Sequence, residues 1–351
     1  MMEERGVEVL YATSLLREVL ADPDVRAGLV GDVFSPAQCG PRVAEAMAEA
    51  LADAPTEAVV DVLVGGLLES ELEGWGVDPL FADLVADRFH YVLRPLPNLL
   101  FMRDNAAWVN DGLSLSVLAT PARERESRYM RAIYRNHPRF TSTSYPVFYG
   151  LEDEDAYPAS LEGGDVLVLS PSTVVVGLGE RTAPAAVEIL ARRLFAAGTV
   201  QRVIVIHLRH HRSVMHLDTV FTMVDVDKFN VFPGLLETVE VHTLTPSTYG
   251  GITVDRAGSL EAALGDSLGL EQVRFVPTGG DAIGRLREQW DDGNNTLTLE
   301  PGVVVAYARN VETNRRLRQA GIEVLELDAS ELCRGRGGSR CMTQPVARAP
   351  G

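Results

Sequence analysis

Residues 303–327 read VVVAYARNVETNRRLRQAGIEVLEL, and this stretch indicates the fold class. Val303–Tyr307 is a short β-branched run, which is typical of a buried strand. Glu312–Ala320 has helical spacing and a basic last turn, and Gly321 follows it as a helix-terminating residue. A second apolar run, 322–327, completes a strand–helix–strand unit, so the sequence predicts an α/β fold.

The same alternation recurs upstream of this unit, in the part of the chain that follows Tyr91. Short apolar runs predict further strands at Asp165–Leu169, Thr173–Leu178, Val200–Ile206, Val239–Leu244 and Leu297–Leu299. A helical pattern over Pro184–Ala197 separates two of them. The first 95 residues are instead mostly helical, with three-and-four apolar spacing in Thr13–Leu20, Pro41–Leu51 and Glu57–Leu68. We therefore expect a helical N-terminal region before a larger α/β region.

A short internal echo links the two ends of the chain. Gly6–Leu10 reads GVEVL, and Gly321–Leu325 reads GIEVL. The second copy closes a strand–helix–strand unit, whereas the first copy is preceded by only a few residues, so the chain would begin in the middle of a repeat. Coincidence between two short apolar segments is the alternative.

The composition is that of an ordinary globular protein, with 46% hydrophobic residues in a chain of 351. The net charge of −17 argues against a nucleic-acid partner, and it fits either simple solubility or a cationic substrate. Neither a signal peptide nor an apolar stretch of membrane-spanning length is present, so no membrane association is expected. Cys39, Cys333 and Cys341 form no disulfide framework, which favours a cytoplasmic protein.

The segment 334–342, RGRGGSRCM, places a thiol at the end of a basic, glycine-rich loop. Nearby guanidinium groups stabilise a thiolate, so we expect the pKa of Cys341 to be lowered and Cys341 to be a candidate nucleophile. A surface loop with an incidental cysteine is the alternative.

Four of the seven histidines fall in the segment 207–216. Arg209 and Arg212 would repel a cation there, and cysteine or glutamate ligands are missing at the usual spacing, so a metal site is disfavoured. His216 and Asp218 would share one face of a strand, and could offer an imidazole and a carboxylate to one pocket. A purely structural histidine is the alternative.

Further carboxylates stand at the entrances of predicted strands. Glu162–Asp165 (EGGD) leads into one strand, and Asn98–Asp104 (NLLFMRD) is a second polar and apolar cluster of this kind. Either segment alone is ordinary turn chemistry. Together with a cysteine and a histidine they indicate covalent chemistry on a cation, and a planar guanidinium is the cation that carboxylates match best.

These segments resemble the arginine deiminase family, of the guanidino-group-modifying superfamily. The matching motifs cover nearly the whole chain, in the family's order: Asn98–Asp104, Pro121–Arg123, Arg131–Pro138, Glu162–Asp165, Gly179–Thr182, Met215–Met223 and Arg334–Met342. The resemblance implies a five-bladed α/β propeller of the pentein fold, with its first blade incomplete and a helical insertion near the N-terminus. It implies three parts: a remnant of the first blade at 1–10, the helical insertion at 11–92 and the catalytic α/β propeller at 93–351.

The resemblance also implies the roles of the reacting groups. Cys341 would be the nucleophile and His216 the general acid and base. Asp104 and Asp218 would bind the guanidinium nitrogens, and Glu162 would assist there and orient His216.

Binding of the amino-acid part of the substrate is implied for a second set of residues. Asn98, Arg123 and Arg181 would hold it, and Phe101 would lie beside the alkyl chain. Arg336 matches an arginine of a mobile loop near the entrance of the site. Because Arg123 and Arg181 suit a free α-carboxylate, agmatine is a less suitable substrate than arginine.

The expected activity is hydrolysis of L-arginine to L-citrulline and ammonia, through an S-amidino-cysteine intermediate and without metal or organic cofactor. The alternatives are a hydrolase of another guanidino substrate, such as a methylated arginine or agmatine, and a non-catalytic arginine-binding remnant. The family carries a strand and a helix upstream of the segment that matches Gly6–Leu10, so we expect a start codon placed too far downstream. A homo-oligomer is compatible with the family.

Overall fold

The computed structural model describes residues 1–77, 90–150, 157–237, 239–248 and 250–348. The chain forms two compact units: Met1–Leu100 with Ala122–Ser144, and Phe101–Pro121 with Tyr145–Gly351. Residues 78–89 of the expected helical insertion lie outside the described residues, as do 151–156, 238, 249 and 349–351 of the expected catalytic part. The three domain ranges expected from the sequence stay predictions.

The first unit is mostly helical, as its apolar spacing predicts. Its helices are α1 (Ala12–Val19), α2 (Pro23–Val33), α3 (Pro36–Cys39), α4 (Pro41–Ala52), α5 (Thr56–Gly65), α6 (Glu124–Asn136) and α7 (Pro138–Thr141), and its strands are β1 (Leu67–Leu68) and β2 (Tyr91–Leu93). Proline occupies the first position of α2, α3, α4 and α7, where its fixed φ suits a helix start and its missing N–H is not needed.

Helix α6 shows how this unit is held together. One face buries Tyr129, Met130, Ile133 and Tyr134, while the opposite face is charged. The Tyr129 hydroxyl donates to the carbonyl oxygen of Leu63 at the end of α5 (2.7 Å). The α6 face therefore packs on the N-terminal helices and satisfies its own buried polar group.

The second unit contains the remaining strands and helices. Its strands are β3 (Ala106–Val109), β4 (Gly112–Leu115), β5 (Val147–Tyr149), β6 (Val166–Ser170), β7 (Thr173–Leu178), β8 (Arg202–His207), β9 (Phe221–Met223), β10 (Lys228–Val231), β11 (Glu240–Pro246), β12 (Ile252–Arg256), β13 (Arg274–Pro277), β14 (Leu297–Glu300), β15 (Val303–Tyr307) and β16 (Glu323–Leu327). Its helices are α8 (Pro184–Ala197), α9 (Pro233–Leu236), α10 (Leu260–Leu268), α11 (Ala282–Trp290) and α12 (Val311–Gln319).

One pairing pattern recurs in four sheets of this unit. In each, the first two strands are antiparallel and a third strand runs parallel to the second: β3-β4-β5, β6-β7-β8, β9-β10-β13 and β14-β15-β16. The second sheet is extended to five strands by β11 and β12, in the order β12-β11-β8-β7-β6. The described residues thus form a mixed α/β fold of several small sheets, and the number of propeller blades stays a prediction.

The central strands β7 and β8 of the five-stranded sheet are buried on both faces, which explains their continuous apolar runs. Val174 and Val176 pack with Leu190 of α8 in one cluster, while Val175 packs with Leu264 of α10 in another. Successive residues of a strand point to opposite faces, so one run of valines supplies both clusters.

The strand–helix–strand unit predicted from residues 303–327 is confirmed. β15 and β16 are parallel, with Val303 opposite Glu323, and α12 connects them. The N-terminal echo behaves differently. Residues 7–10 are outside any strand, and the short 3-10 helix Glu3–Arg5 ends at Gly6, which has φ +78°. The likeness between the two segments is therefore one of sequence and not of secondary structure.

No helix in the described part of the chain combines the length and the apolar character that crossing a membrane requires.

Candidate active site

The candidate reactive side chains lie just before the first strands of three sheets in the second unit. Asp104 lies in the 3-10 helix Met102–Asn105 before β3, and Glu162 is the N-cap of the 3-10 helix Gly163–Asp165 before β6. His216 is the N-cap of the 3-10 helix Leu217–Thr219 before β9, and Asp218 lies within that helix. The expectation that His216 and Asp218 share a strand face is therefore wrong, because this segment turns before its strand begins.

Cys341 lies in this unit as a buried free thiol, 3% exposed. Its Sγ is 3.7 and 3.9 Å from the two carboxylate oxygens of Asp218. The Cys341 N–H donates to Asn295 Oδ1 (2.9 Å), and the Cys341 carbonyl oxygen accepts from the Arg103 N–H (2.9 Å). Hydrogen bonds on both sides of the residue thus fix the backbone that carries the thiol.

The pKa of Cys341 is raised well above its usual value, so the expectation of a lowered pKa is wrong for the free protein. Burial is the main cause, and the negative charges of Asp218, Asp104 and Asp292 act in the same direction. The positive charge of Arg340 opposes them but is outweighed. Cys341 is therefore a thiol at neutral pH, and a cation bound beside it would favour the thiolate.

His216 is held between two carboxylates. Its Nε2 lies 2.6 Å from Glu162 Oε2, and its Nδ1 lies 3.5 Å from Asp104 Oδ1. Burial alone would lower the pKa of His216, but the charges of Asp104 and Glu162 raise it to about 10. His216 is therefore an imidazolium at neutral pH, with a proton to give.

The EGGD segment brings these groups together. A Cβ on Gly164 would lie 2.8 Å from His216 Cγ and 2.9 Å from Asp104 Oδ1, so the close approach requires glycine. Asp165 accepts from the Leu217 N–H (2.8 Å) and from the Thr182 hydroxyl (2.7 Å), which ties the Glu162 turn to the His216 turn. Burial raises the pKa of Asp165 to about 7.

Asp218 is fully buried, and besides the Cys341 thiol it contacts Arg340 and Asn295. One carboxylate oxygen, Oδ2, accepts a charged hydrogen bond from the guanidinium of Arg340, which also donates to the Val166 carbonyl oxygen (3.2 Å). The Asp218 carbonyl oxygen accepts from Asn295 Nδ2 (3.2 Å). Arg340 and Asn295 were not singled out in the sequence analysis, because their partners are distant in the chain.

Arg181 lines a cavity of about 590 Å³ in the same unit, together with Thr120, His207 and His210. Its guanidinium contacts the Thr120 hydroxyl and lies 3.6 Å from Glu162 Oε1. The expected substrate-binding arginine thus reaches the carboxylate that also holds His216. The Arg181 guanidinium is the group of this wall that can receive a carboxylate.

Phe101 and Arg336 lie against the segment that ends at Cys341. A Cβ on Gly337 would come within 2.3 Å of the Phe101 ring, so ring and backbone are in close contact. The Arg336 guanidinium stacks 4.2 Å from the Trp290 ring centroid and lies 3.8 Å from Asp292 Oδ1. Burial raises the pKa of Asp292 to about 7, although Arg336 opposes that shift.

Asn98 and Arg123 belong to the first unit. The Arg123 guanidinium donates to the Asn98 carbonyl oxygen (3.2 Å) and pairs with the buried Glu126 (2.7 Å). The binding roles expected for Asn98 and Arg123 stay predictions.

Within the described residues, histidine, cysteine and acidic side chains form no cluster suited to hold a metal ion. Two exposed histidines of the segment 207–216, His207 and His210, line the cavity beside Arg181.

Comparison with known proteins adds two findings. The sequence model of the family described as arginine deiminase matches residues 1–348. Among solved structures, the chain is similar to unliganded AgrE, with 19% identity and a TM-score of 0.51 over 72% of this chain and 31% of that chain. The chain thus spans about a third of the length of AgrE.

The N-terminal domain of ArgZ, an arginine dihydrolase from Cyanobacteria, is also similar. With a substrate-bound mutant of that domain the identity is 16% and the TM-score 0.50, over 72% of this chain and 79% of that chain. With the form covalently bound to a reaction intermediate they are 17% and 0.51, over 72% and 77%. At these identities the likeness shows a shared fold.

Proposed function

The chain belongs to the arginine deiminase family, and from this premise we propose that it hydrolyses L-arginine to L-citrulline and ammonia through an S-amidino-cysteine intermediate. The observation that carries the proposal is the buried contact between the Cys341 thiol and the Asp218 carboxylate, beside a histidine held by Asp104 and Glu162. The Asp218 and Asp104 carboxylates that act on the Cys341 thiol favour a cationic electrophile.

Substrate binding would prepare the nucleophile. The guanidinium of arginine would be bound by Asp104 and Asp218, whose negative charges raise the pKa of Cys341. A bound cation compensates those charges, so the thiolate becomes accessible when the electrophile is in place. The proton leaves with solvent, and the substrate is held at reacting distance.

In the first half-reaction the Cys341 thiolate attacks the guanidinium carbon and forms a C–S bond. His216, which is protonated at neutral pH because of Asp104 and Glu162, gives its proton to the departing nitrogen, and the C–N bond breaks to release ammonia. The amidino carbon, bonded to Cys341, remains on the enzyme.

In the second half-reaction neutral His216 takes a proton from a water molecule, which attacks the amidino carbon. The tetrahedral adduct collapses: the C–S bond breaks with its electron pair on sulfur, the hydroxyl proton passes to solvent, and thiolate and citrulline are released. Glu162 keeps the imidazole oriented throughout by its 2.6 Å contact with Nε2. Electrostatic preorganisation by the carboxylates needs no reorganisation during the reaction.

Two features support arginine over other guanidino compounds. Arg181 stands at the cavity wall beside Glu162 and suits a free α-carboxylate. The similar ArgZ domain is described with a covalently bound reaction intermediate and as an arginine dihydrolase, which supports both the covalent route and the substrate class.

The test is product analysis with the full chain. Incubation with L-arginine should release citrulline and ammonia in equal amounts, and Cys341→Ser should retain arginine binding but form no citrulline. Acid quenching during turnover should leave the amidino group on the peptide that contains Cys341. Ornithine as the product, preference for agmatine or a methylated arginine, or full activity of Cys341→Ser would overturn the proposal.

A further inference from the structure

The turn 291–296 (DDGNNT) stands before β14 as the candidate catalytic turns stand before β3, β6 and β9. The side chains of Asp292, Asn294, Asn295 and Thr296 are buried, yet the mechanism above uses none of them. We propose that Asn295 in this turn is a positioning residue for Cys341 in the reaction proposed above, acting through both ends of its carboxamide.

The contacts of Asn295 join two separate parts of the site. Its Oδ1 accepts from the Cys341 N–H at 2.9 Å, and its Nδ2 donates to the Asp218 carbonyl oxygen at 3.2 Å. Cys341 and Asp218 are 123 positions apart in the sequence. One buried side chain, 1% exposed, thus fixes the distance between the nucleophile and the carboxylate that would bind the electrophile.

The chemistry of these contacts requires a carboxamide. One partner is an N–H donor and the other a carbonyl acceptor, so the side chain must accept at one atom and donate at the other. The reversed amide would place an NH₂ group against the Cys341 N–H and a carbonyl against the Asp218 carbonyl. Since both contacts would then be repulsive, the hydrogen-bond network selects a single orientation of Asn295.

One glycine of the loop before Cys341, Gly338, is explained by its contact with Asn295. A Cβ on Gly338 would lie 2.6 Å from the Asn295 carbonyl oxygen and 2.7 Å from its Oδ1. The Asn295 carbonyl oxygen also accepts from the Ser339 hydroxyl (3.3 Å). The RGRGGSRCM loop therefore passes close to Asn295 because Gly338 lacks a side chain.

The arrangement suits a cationic electrophile. In acyl transfer, backbone N–H groups beside a nucleophile stabilise a developing oxyanion. A guanidinium develops no such anion, and an unpaired N–H dipole would repel it. Because Asn295 Oδ1 already accepts a hydrogen bond from the Cys341 N–H, that N–H offers no unpaired dipole to the electrophile. The carboxylates then determine the electrostatic potential around the thiol.

Asn294 provides a matched control for the test. It is a buried carboxamide in the same turn, donates to Asn230 Oδ1 (2.7 Å) and accepts from the Thr278 hydroxyl (2.8 Å). Asn294→Ala and Asn295→Ala therefore remove the same group and similar hydrogen bonds, but only Asn295 holds Cys341 and Asp218. We expect kcat for citrulline formation to fall about 100-fold in Asn295→Ala with KM within about threefold, and kcat of Asn294→Ala to stay within about threefold of wild type.

Asn295→Asp tests the positioning role without changing volume. A protonated carboxylic acid can donate and accept like the carboxamide, whereas a carboxylate can only accept. The ratio of variant to wild-type kcat should therefore rise about tenfold as the pH is lowered towards the protonated form. Equal kcat losses in the two alanine variants, or a ratio that is flat with pH, would show a merely structural residue and overturn the inference.

Alkylation of Cys341 by iodoacetamide, followed by peptide mass spectrometry, separates this inference from the proposed function. Asn295→Ala should change the alkylation rate of Cys341 several-fold, and Asn294→Ala should leave it unchanged. If wild type turns over no arginine, the proposed function fails, while this measurement still decides on Asn295: equal rates in both variants would refute its role.

Discussion

Gly164 lies where His216, the candidate acid–base group, meets Asp104, and replacing Gly164 by alanine tests that arrangement directly. The added methyl would stand 2.8 Å from His216 Cγ and 2.9 Å from Asp104 Oδ1. Gly164 is not among the glycines with positive φ, so alanine meets no backbone strain there. The effect of Gly164→Ala is therefore the displacement of those two side chains.

The size of the effect follows from how far the distance between the added methyl and its neighbours falls below an ordinary contact distance. Ordinary contact begins near 3.4 Å, so His216 must move by about 0.6 Å or the turn must shift by as much. A misplacement of this order costs about 100-fold in rate, or about 2.7 kcal/mol of transition-state stabilisation. Overpacking a buried site also lowers stability, by about 1–3 kcal/mol. We expect kcat/KM for arginine to fall at least about 100-fold. The unfolding temperature should be lower than that of wild type, but unfolding should remain cooperative.

Steady-state citrulline formation and thermal unfolding, measured on the same samples, are the required assays. Gly258→Ala is the control, since its Cβ would meet nothing within 4 Å, and it should match wild type in both. A folded Gly164→Ala enzyme with a kcat/KM within threefold of wild type would show that the His216–Asp104 geometry is not needed for turnover.

Two further variants examine the charges of the site. Glu162→Gln removes a carboxylate that raises the pKa of His216 to about 10, so an imidazole NMR titration should show a lower pKa, and an unchanged value would contradict the electrostatic account. Protonated His216 contributes its full stabilisation below its unfolded pKa of about 6.5, and this contribution is lost as pH rises through about 10. In Glu162→Gln the free energy of unfolding, measured with urea, should begin to fall at a lower pH. Asp218→Asn should raise KM for arginine, because the guanidinium loses a charged partner. The variant should also lower the midpoint pH of the Cys341 alkylation rate, because Asp218 raises the pKa of that thiol. A changed kcat with KM and this midpoint both constant would contradict the role of Asp218.

The secondary structure was predictable where residues within the segment or next to it mark both ends of the strand or helix. β7, β15 and α8 match their predicted ranges, because apolar runs bounded by glycine, proline or polar residues depend little on distant partners. Gly6–Leu10 shows the limit, since its sequence is nearly that of 321–325 but residues 7–10 form no strand. A strand needs a paired neighbour, and a short sequence does not specify one.

The sequence pointed to the candidate reacting groups but not to the residues that support them, and the catalytic roles stay predictions. Cys341 and His216 stand out because cysteine and histidine are few in this chain, and Asp218 stands out because it lies two positions after His216. Asn295 carries no comparable signal, since an asparagine in a turn is common and its two contacts are 46 and 77 positions away. The pKa of Cys341 was predicted in the wrong direction for the same reason: neighbours in the sequence are arginines, whereas burial and distant carboxylates decide the shift.

In the proposed reaction, the charges around Cys341 would link substrate binding to activation of the nucleophile. The Asp218 carboxylate contacts both the Arg340 guanidinium and the Cys341 thiol. Because the thiolate is the reactive form of cysteine, a thiol with a raised pKa resists oxidation and alkylation. An incoming guanidinium would supply the charge that favours the thiolate, so the electrophile itself would activate the nucleophile. Reactivity and specificity then have one origin, since a neutral molecule of similar shape would fill the site and leave Cys341 protonated.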